Sequence, residues 1–324
     1  MPELKEHENY MLLLKGEMPE YVPRSGVMGM GVGFQGLAPG PGGTENFTDP
    51  FGVPYVVSEH ANNGALPEPN NFILDDIRRW RDVIKRPKIL DEYDYERGAM
   101  KSLEAHDPAL PKSGGGSIGN GYFQLLISFM GFNNGLIACL EEPEEVKALM
   151  DFLLQINLEL GAKAIDYFRP DIYGMGDDIA HERAPFVSLA TFEDIFEPAW
   201  RATVKPYKEA GCLATHHNCG NFTMFVPHIV DMGFNAWNPA ETTSDLEWVK
   251  ETFGRKMAIC GGFDSNGFIC WPETTEEEVR AYVRQQVDLL APGGGYAFGG
   301  GVMGMPERSA WINDEFEKIR YSYY

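Results

Sequence analysis

A (β/α)8 TIM barrel is the fold class this sequence predicts, and three observations carry it. From residue 141 onward, short apolar runs alternate with segments of helical period. That is the pattern of parallel strands joined by crossover helices. The chain has 324 residues, enough for one such barrel with long loops. Residues able to do chemistry collect where the strand-like runs end, the face on which barrel enzymes carry their sites. A doubly wound sheet is the second architecture consistent with the same alternation.

The elements follow in order. Residues 1–25 read as a helical and loop extension. Residues 25–130 are less regular, with Gly/Pro-rich stretches SGVMGMGVGFQGLAPGPGG and PKSGGGSIGNG, expected as long loops over the C-terminal face of the barrel. EEPEEVKALMDFLLQINLELGAKAIDYF (141–168) has helical apolar spacing and an acidic first turn. DIYGMGD (171–177) is a strand and turn, and TFEDIFEPAWRATVKPYKEAG (191–211) a helix that Pro198 and Pro206 should kink. CLATHH (212–217), FNAWNP (234–239), KMAICGG (256–262) and YAFGGG (296–301) are the next strands. Helices over 221–233, 243–254, 274–291 and 306–321 separate and close them, the third with a capping-box start. The whole chain, 1–324, is expected as a single domain.

Composition removes several function classes. The formal net charge is −21 and the sequence pI about 4.7, which repels nucleic acid and anionic membrane. With 44% hydrophobic residues the chain can fill a large core. Five widely spaced cysteines (Cys139, Cys212, Cys219, Cys260, Cys270) do not form a disulfide framework. The N-terminus carries no apolar signal core, and no run reaches the ~20 apolar residues of a membrane span. The expectation is a soluble cytoplasmic protein, compatible with a homodimer. Gly31, Gly33 and Gly36 match G-x-G-x-x-G, but LAPGPGG follows where a dinucleotide site needs a helix.

The strand ends deliver Asp177 and Asp178, then His216, His217 and Cys219, then Glu241, then Cys260 and Asp264, and last a glycine run with Met303. Zinc takes nitrogen and sulfur ligands in tetrahedral geometry, and a catalytic site keeps one position open. Residues two apart in an extended segment point to one side, so His217 and Cys219 can converge on one ion. Read alone, H-x-C is as compatible with a polar turn carrying a core thiol. Met28, Met30, Met303 and Met305 flank glycines, with Phe34, Phe298 and Trp237 on neighbouring segments. Such residues suit a flat apolar substrate, or simply a core. Asp178 or Tyr173 could supply a proton.

Together these motifs resemble the uroporphyrinogen decarboxylase-like superfamily of barrels. The resemblance spans about residues 20–320 and rests on H-x-C-G (217–220), Glu241, GGFD (261–264), LAPGGGY (290–296) and GDDIAHERAPFVSLATFEDIFEPAW (176–200). Its zinc methyltransferase branch works with corrinoid proteins. The resemblance implies zinc held by His217 and Cys219 with Glu241 as third ligand. Cys260, Glu182 or a water would complete the shell, because FGGGVMG (298–304) lacks the cysteine that coenzyme M enzymes carry there. It further implies methyl transfer from a small methylated donor, an aryl methyl ether, to cobalt(I) on a separate corrinoid protein. Met30, Phe34, Trp237, Asp264 and Met303 would contact substrate. A decarboxylase-like lyase fits less well, since Arg24 stands alone in EYVPRSG; a methylcobalamin:thiol methyltransferase is the other alternative.

Overall fold

The computed structural model describes residues 3–26, 30–37, 45–59, 63–119 and 121–324. Met28 and the side chain of Met30 lie outside the described residues. The chain gathers into two compact units. One comprises Met30–Ile179 and Phe186–Cys212, the other Met1–Gly29, Ala180–Pro185 and Leu213–Tyr324.

The first of these carries β1 (Met30–Val32), β2 (Phe47–Thr48), β3 (Pro54–Ser58), β4 (Gly64–Pro67), β5 (Lys112–Gly114) and β6 (Ile172–Gly176). β1 pairs parallel with β5, Met30 opposite Lys112, and β5 parallel with β6, Ser113 opposite Ile172. Between the glycine stretches, where the sequence shows only loops, β2, β3 and β4 make an antiparallel sheet, and a helix runs over Tyr95–Glu104.

The helix Pro143–Phe168 follows its periodicity. Val146, Leu149, Met150, Leu153, Ile156, Leu160 and Ala164 form the buried stripe. Pro143 and two glutamates open the first turn, where a missing N–H costs nothing and the helix dipole favours negative charge. The segment 191–211 is helical as expected, and Pro198 enters it through a π turn over Phe192–Phe196 instead of a break.

The second unit holds β7 (Leu213–His217), β8 (Ala236–Ala240), β9 (Ala258–Gly261) and β10 (Tyr296–Phe298). Each pairs parallel with the next, His217 opposite Asn238 and Cys260 opposite Ala297. Seven parallel strands alternating with helices are the (β/α)8 class that the sequence predicts. The first 25 residues belong to this unit. Arg24 forms a parallel bridge with Phe298, and Ser25 N donates to Phe298 O at 2.7 Å. Arg320, buried at the other end of the chain, holds Glu6 at 2.6 Å and donates to Val22 O. Among the described residues no single helix is long and apolar enough to cross a membrane.

The helix Glu276–Leu290 shows what a cap contributes. Thr275 and Glu278 form the expected box, the Thr275 hydroxyl accepting from Glu278 N and the Glu278 carboxylate from Thr275 N. Thr275→Ala is expected to cost about 1 kcal/mol, read as a lower denaturant midpoint with an unchanged slope.

Candidate functional site

β7 ends in His217, and the chain leaves the strand through Asn218, Cys219 and Gly220. Three contacts fix this loop. Asn218 N donates to Asn238 O at 3.1 Å, which continues the β7–β8 ladder past the strand. The Trp237 indole donates to Asn218 O at 3.0 Å. Ser244 Oγ accepts from Phe222 N at 3.0 Å and lies 3.2 Å from Gly220 O. Gly220 has φ +80°, and a Cβ there would stand 2.6 Å from the carbonyl carbon of His181. Only glycine satisfies both demands, which explains the fourth letter of H-x-C-G.

On this frame His217 is exposed and Cys219 half-buried. His217 Nδ1 lies 3.2 Å from Asn238 Oδ1 and Nε2 lies 3.8 Å from Cys219 Sγ. With the hydrogen on Nδ1, that nitrogen would donate to the amide oxygen, and Nε2 would present its lone pair on the side of the thiol. Zinc bonds of about 2.3 Å to sulfur and 2.05 Å to nitrogen at a tetrahedral angle separate the two donors by roughly 3.6 Å. The observed 3.8 Å is close to that separation.

A cavity of about 430 Å³ opens in the same unit. Glu182, Glu241, Thr243, Phe263 and Asp264 are among its walls. Glu182 reaches it from a turn closed by the Ala180–Pro185 bridge. Asp264 shapes its own loop, Oδ1 accepting from Asn266 N at 2.9 Å and Gly267 N at 2.8 Å. Glu241 lines the cavity but does not come within 4.8 Å of both His217 and Cys219.

Several residues singled out in the sequence stand elsewhere. Trp237 is wholly buried and braces the loop instead of meeting a substrate. Cys260 is also wholly buried, 3.4 Å from Tyr10 OH, and burial pushes its thiol up to about 11. It lies in the core against Tyr10 and is absent from the cavity wall. Tyr173 stacks on Tyr207 with ring centres 3.8 Å apart, and burial raises its hydroxyl well above the ordinary range. It is a core residue, not an exposed proton donor. Phe34 packs edge-on among Tyr93, Tyr95 and Tyr167, and Met303 is exposed and absent from the cavity wall. Asn238 and Ser244, which the sequence did not single out, hold the loop. A register between β7 and β8 would have found Asn238.

Of the Asp177–Asp178 pair, Asp177 caps a helix. Its carboxylate accepts from Phe123 N, Gln124 N and the Trp200 indole at 2.9–3.1 Å. Burial raises it to about 7 against those three bonds. Asp178 is half-buried, and Gln124 Nε2 donates to it at 3.3 Å.

His216 faces inward from β7 and stacks on Phe222 with ring centres 5.2 Å apart. Burial, then the neighbouring His217 charge, lowers it to about 3. Its folded value lies below the unfolded one, so the unfolded chain takes up the proton first. Stability is therefore present above about pH 6.5 and lost as pH falls towards 3. His216→Phe is expected to remove that loss, about 2 kcal/mol between pH 6.5 and 5, measured by denaturant unfolding at both pH values. An equal acid loss in the variant would place its origin in another group.

Parallel strands, crossover helices and a strand-end site define an enzyme barrel. The chain belongs to the uroporphyrinogen decarboxylase (URO-D) family, whose model matches residues 62–306. Among solved structures it is similar to a methyltransferase from Methanosarcina mazei, with TM-score 0.65 and 14% sequence identity. The likeness covers 98% of this chain and 99% of that one, and what the two share is the fold. No curated protein matches the sequence.

Proposed function

We propose that this protein is a zinc-dependent methyltransferase that passes a methyl group from a small methylated donor to a corrinoid carried on a separate protein. The observation that carries the reading is the His217–Cys219 pair, with donor atoms 3.8 Å apart on a braced loop at a strand end. Bound there, zinc would polarise the heteroatom that gives up the methyl group.

The chain's own residues do the rest. Asn238 orients the imidazole through Nδ1 and so presents Nε2. Glu241, from the cavity wall, is the proposed third ligand and would have to swing towards the pair to bind; Glu182 on the same wall is the carboxylate that could follow it. Asp178 is the proposed proton donor to the departing oxygen. An aryl methyl ether, giving a free phenol, is the donor class that the resemblance implies. The Cys219 thiol must stay reduced to serve, which suits a cytoplasmic setting.

The test mixes the protein with a reduced corrinoid protein and a panel of methyl ethers, methylamines and methylthiols. Methylation of the corrinoid, seen in its visible spectrum, and release of a phenol are expected, both stopping when zinc is chelated. Decarboxylation of a porphyrinogen without corrinoid methylation would reject the reading in favour of a lyase.

A further inference from the structure

We propose a second ligand site, for an organic phosphate with an apolar body, at the N-terminal ends of β8 and β9. A cavity of about 590 Å³ lies there. Lys15, Arg255 and Lys256 stand around it, and no carboxylate is among its lining residues. The chain carries 48 acidic against 27 basic residues, so three cations without an acid in one cavity run against the rest of the surface. Among the described residues, none of the three forms an ion pair with a carboxylate.

The local field supports the reading. Lys250 donates to Gly294 O beside this cavity, and burial followed by the Arg255 charge lowers it to about 8. Gly16, with φ +74°, brings its turn against the Arg255 carbonyl, where a Cβ would stand 3.1 Å from the oxygen. That close approach sets Lys15 beside Arg255. Gly16 N and Gly233 N already donate to Leu13 O and Val230 O. Anion recognition therefore falls to the side chains.

The ligand class follows from what the walls offer. Phosphate brings close to two charges and three acceptor oxygens, enough for three cations, whereas a carboxylate brings one charge. Leu14 and Phe234 are fully buried beneath the cations, and the half-buried Phe253 beside them is the apolar surface at the site. Inorganic phosphate cannot use that ring face, whereas an aryl body can lie against it. Glu241 and Asp264 follow the opposite ends of the same two strands, so this site is separate from the candidate catalytic cavity. It stands whether or not the chain transfers methyl groups.

Titration calorimetry and thermal shift on the full chain test it with three probes: inorganic phosphate, phenyl phosphate and phenylacetate. Phenyl phosphate is expected to bind at least about tenfold tighter than either of the others, with affinity falling as salt rises. The double variant Arg255→Ser, Lys256→Ser should weaken it at least about tenfold, since removing roughly 1.4 kcal/mol of charge interaction is one decade. Both residues are exposed, so the variant should keep its ligand-free melting temperature. Equal binding of the three probes, no binding at all, or binding unchanged in the folded double variant would each overturn the proposal.

Discussion

His217→Ala should leave the purified protein folded, nearly free of zinc, and unable to methylate a corrinoid protein. His217 is exposed at the end of β7, so its removal opens no cavity, and a catalytic site on a finished barrel is not what folds it. A Lewis acid at the leaving atom supplies several kcal/mol, which corresponds to a rate loss of about 10²–10⁴-fold. Metal content by emission spectroscopy and far-UV circular dichroism, taken on one preparation, separate the two effects. Asn238→Ala should show a smaller loss of zinc affinity, about 10–100-fold, because it removes only the bond that orients the ring. Full zinc occupancy in His217→Ala would sink the assignment.

Arg320→Ala is expected to give the largest loss of stability, about 3 kcal/mol or more. The guanidinium holds both oxygens of Glu6 at 2.6 and 2.7 Å, donates to Val22 O at 3.1 Å, and lies over the Tyr21 and Phe316 rings. Truncation leaves the Glu6 charge facing a half-closed space and strips packing from two aromatic faces. Arg320→Lys should recover little, because an ammonium cannot bridge two oxygens and a carbonyl while lying flat on a ring. Denaturant midpoints of the three proteins decide it. A loss under 1 kcal/mol for the alanine variant would show that water replaces the network.

What the sequence made legible was local. The spacing of Val146, Leu149, Met150 and Leu153 announced a helix without any partner. His217 and Cys219 could be placed on one side of one segment by alternation alone. Surroundings that depend on pairing across the chain were not legible. Trp237 is placed at the substrate by the family resemblance, from a segment near the strand ends. Its register opposite His216 turns it into the core instead. Cys260 meets Tyr10, 250 positions away, and no pattern near either residue announces that meeting. Tyr173 sits one position into a strand that was correctly found. Its ring-on-ring contact with Tyr207, 34 positions later on the helix Glu197–Glu209, decides its burial.

The bridge between Arg24 and Phe298 also constrains how the chain can be made. Synthesis runs from the N-terminus, and domains generally close as units once their residues have emerged. The unit of Met30–Ile179 and Phe186–Cys212 is complete when residue 212 has left the ribosome. The other unit has its first twenty-odd residues in hand from the start, yet Gly16 and Tyr10 meet no later partner until Arg255 and Cys260 are made, Arg24 none until Phe298, and Glu6 has no cation until Arg320 follows. For most of translation, Tyr10, Leu13 and Leu14, all buried in the finished fold, must wait in water. The nascent chain therefore carries these apolar side chains without their later partners for most of its synthesis, and a chain cut short before residue 255 would lack the segments that cover them.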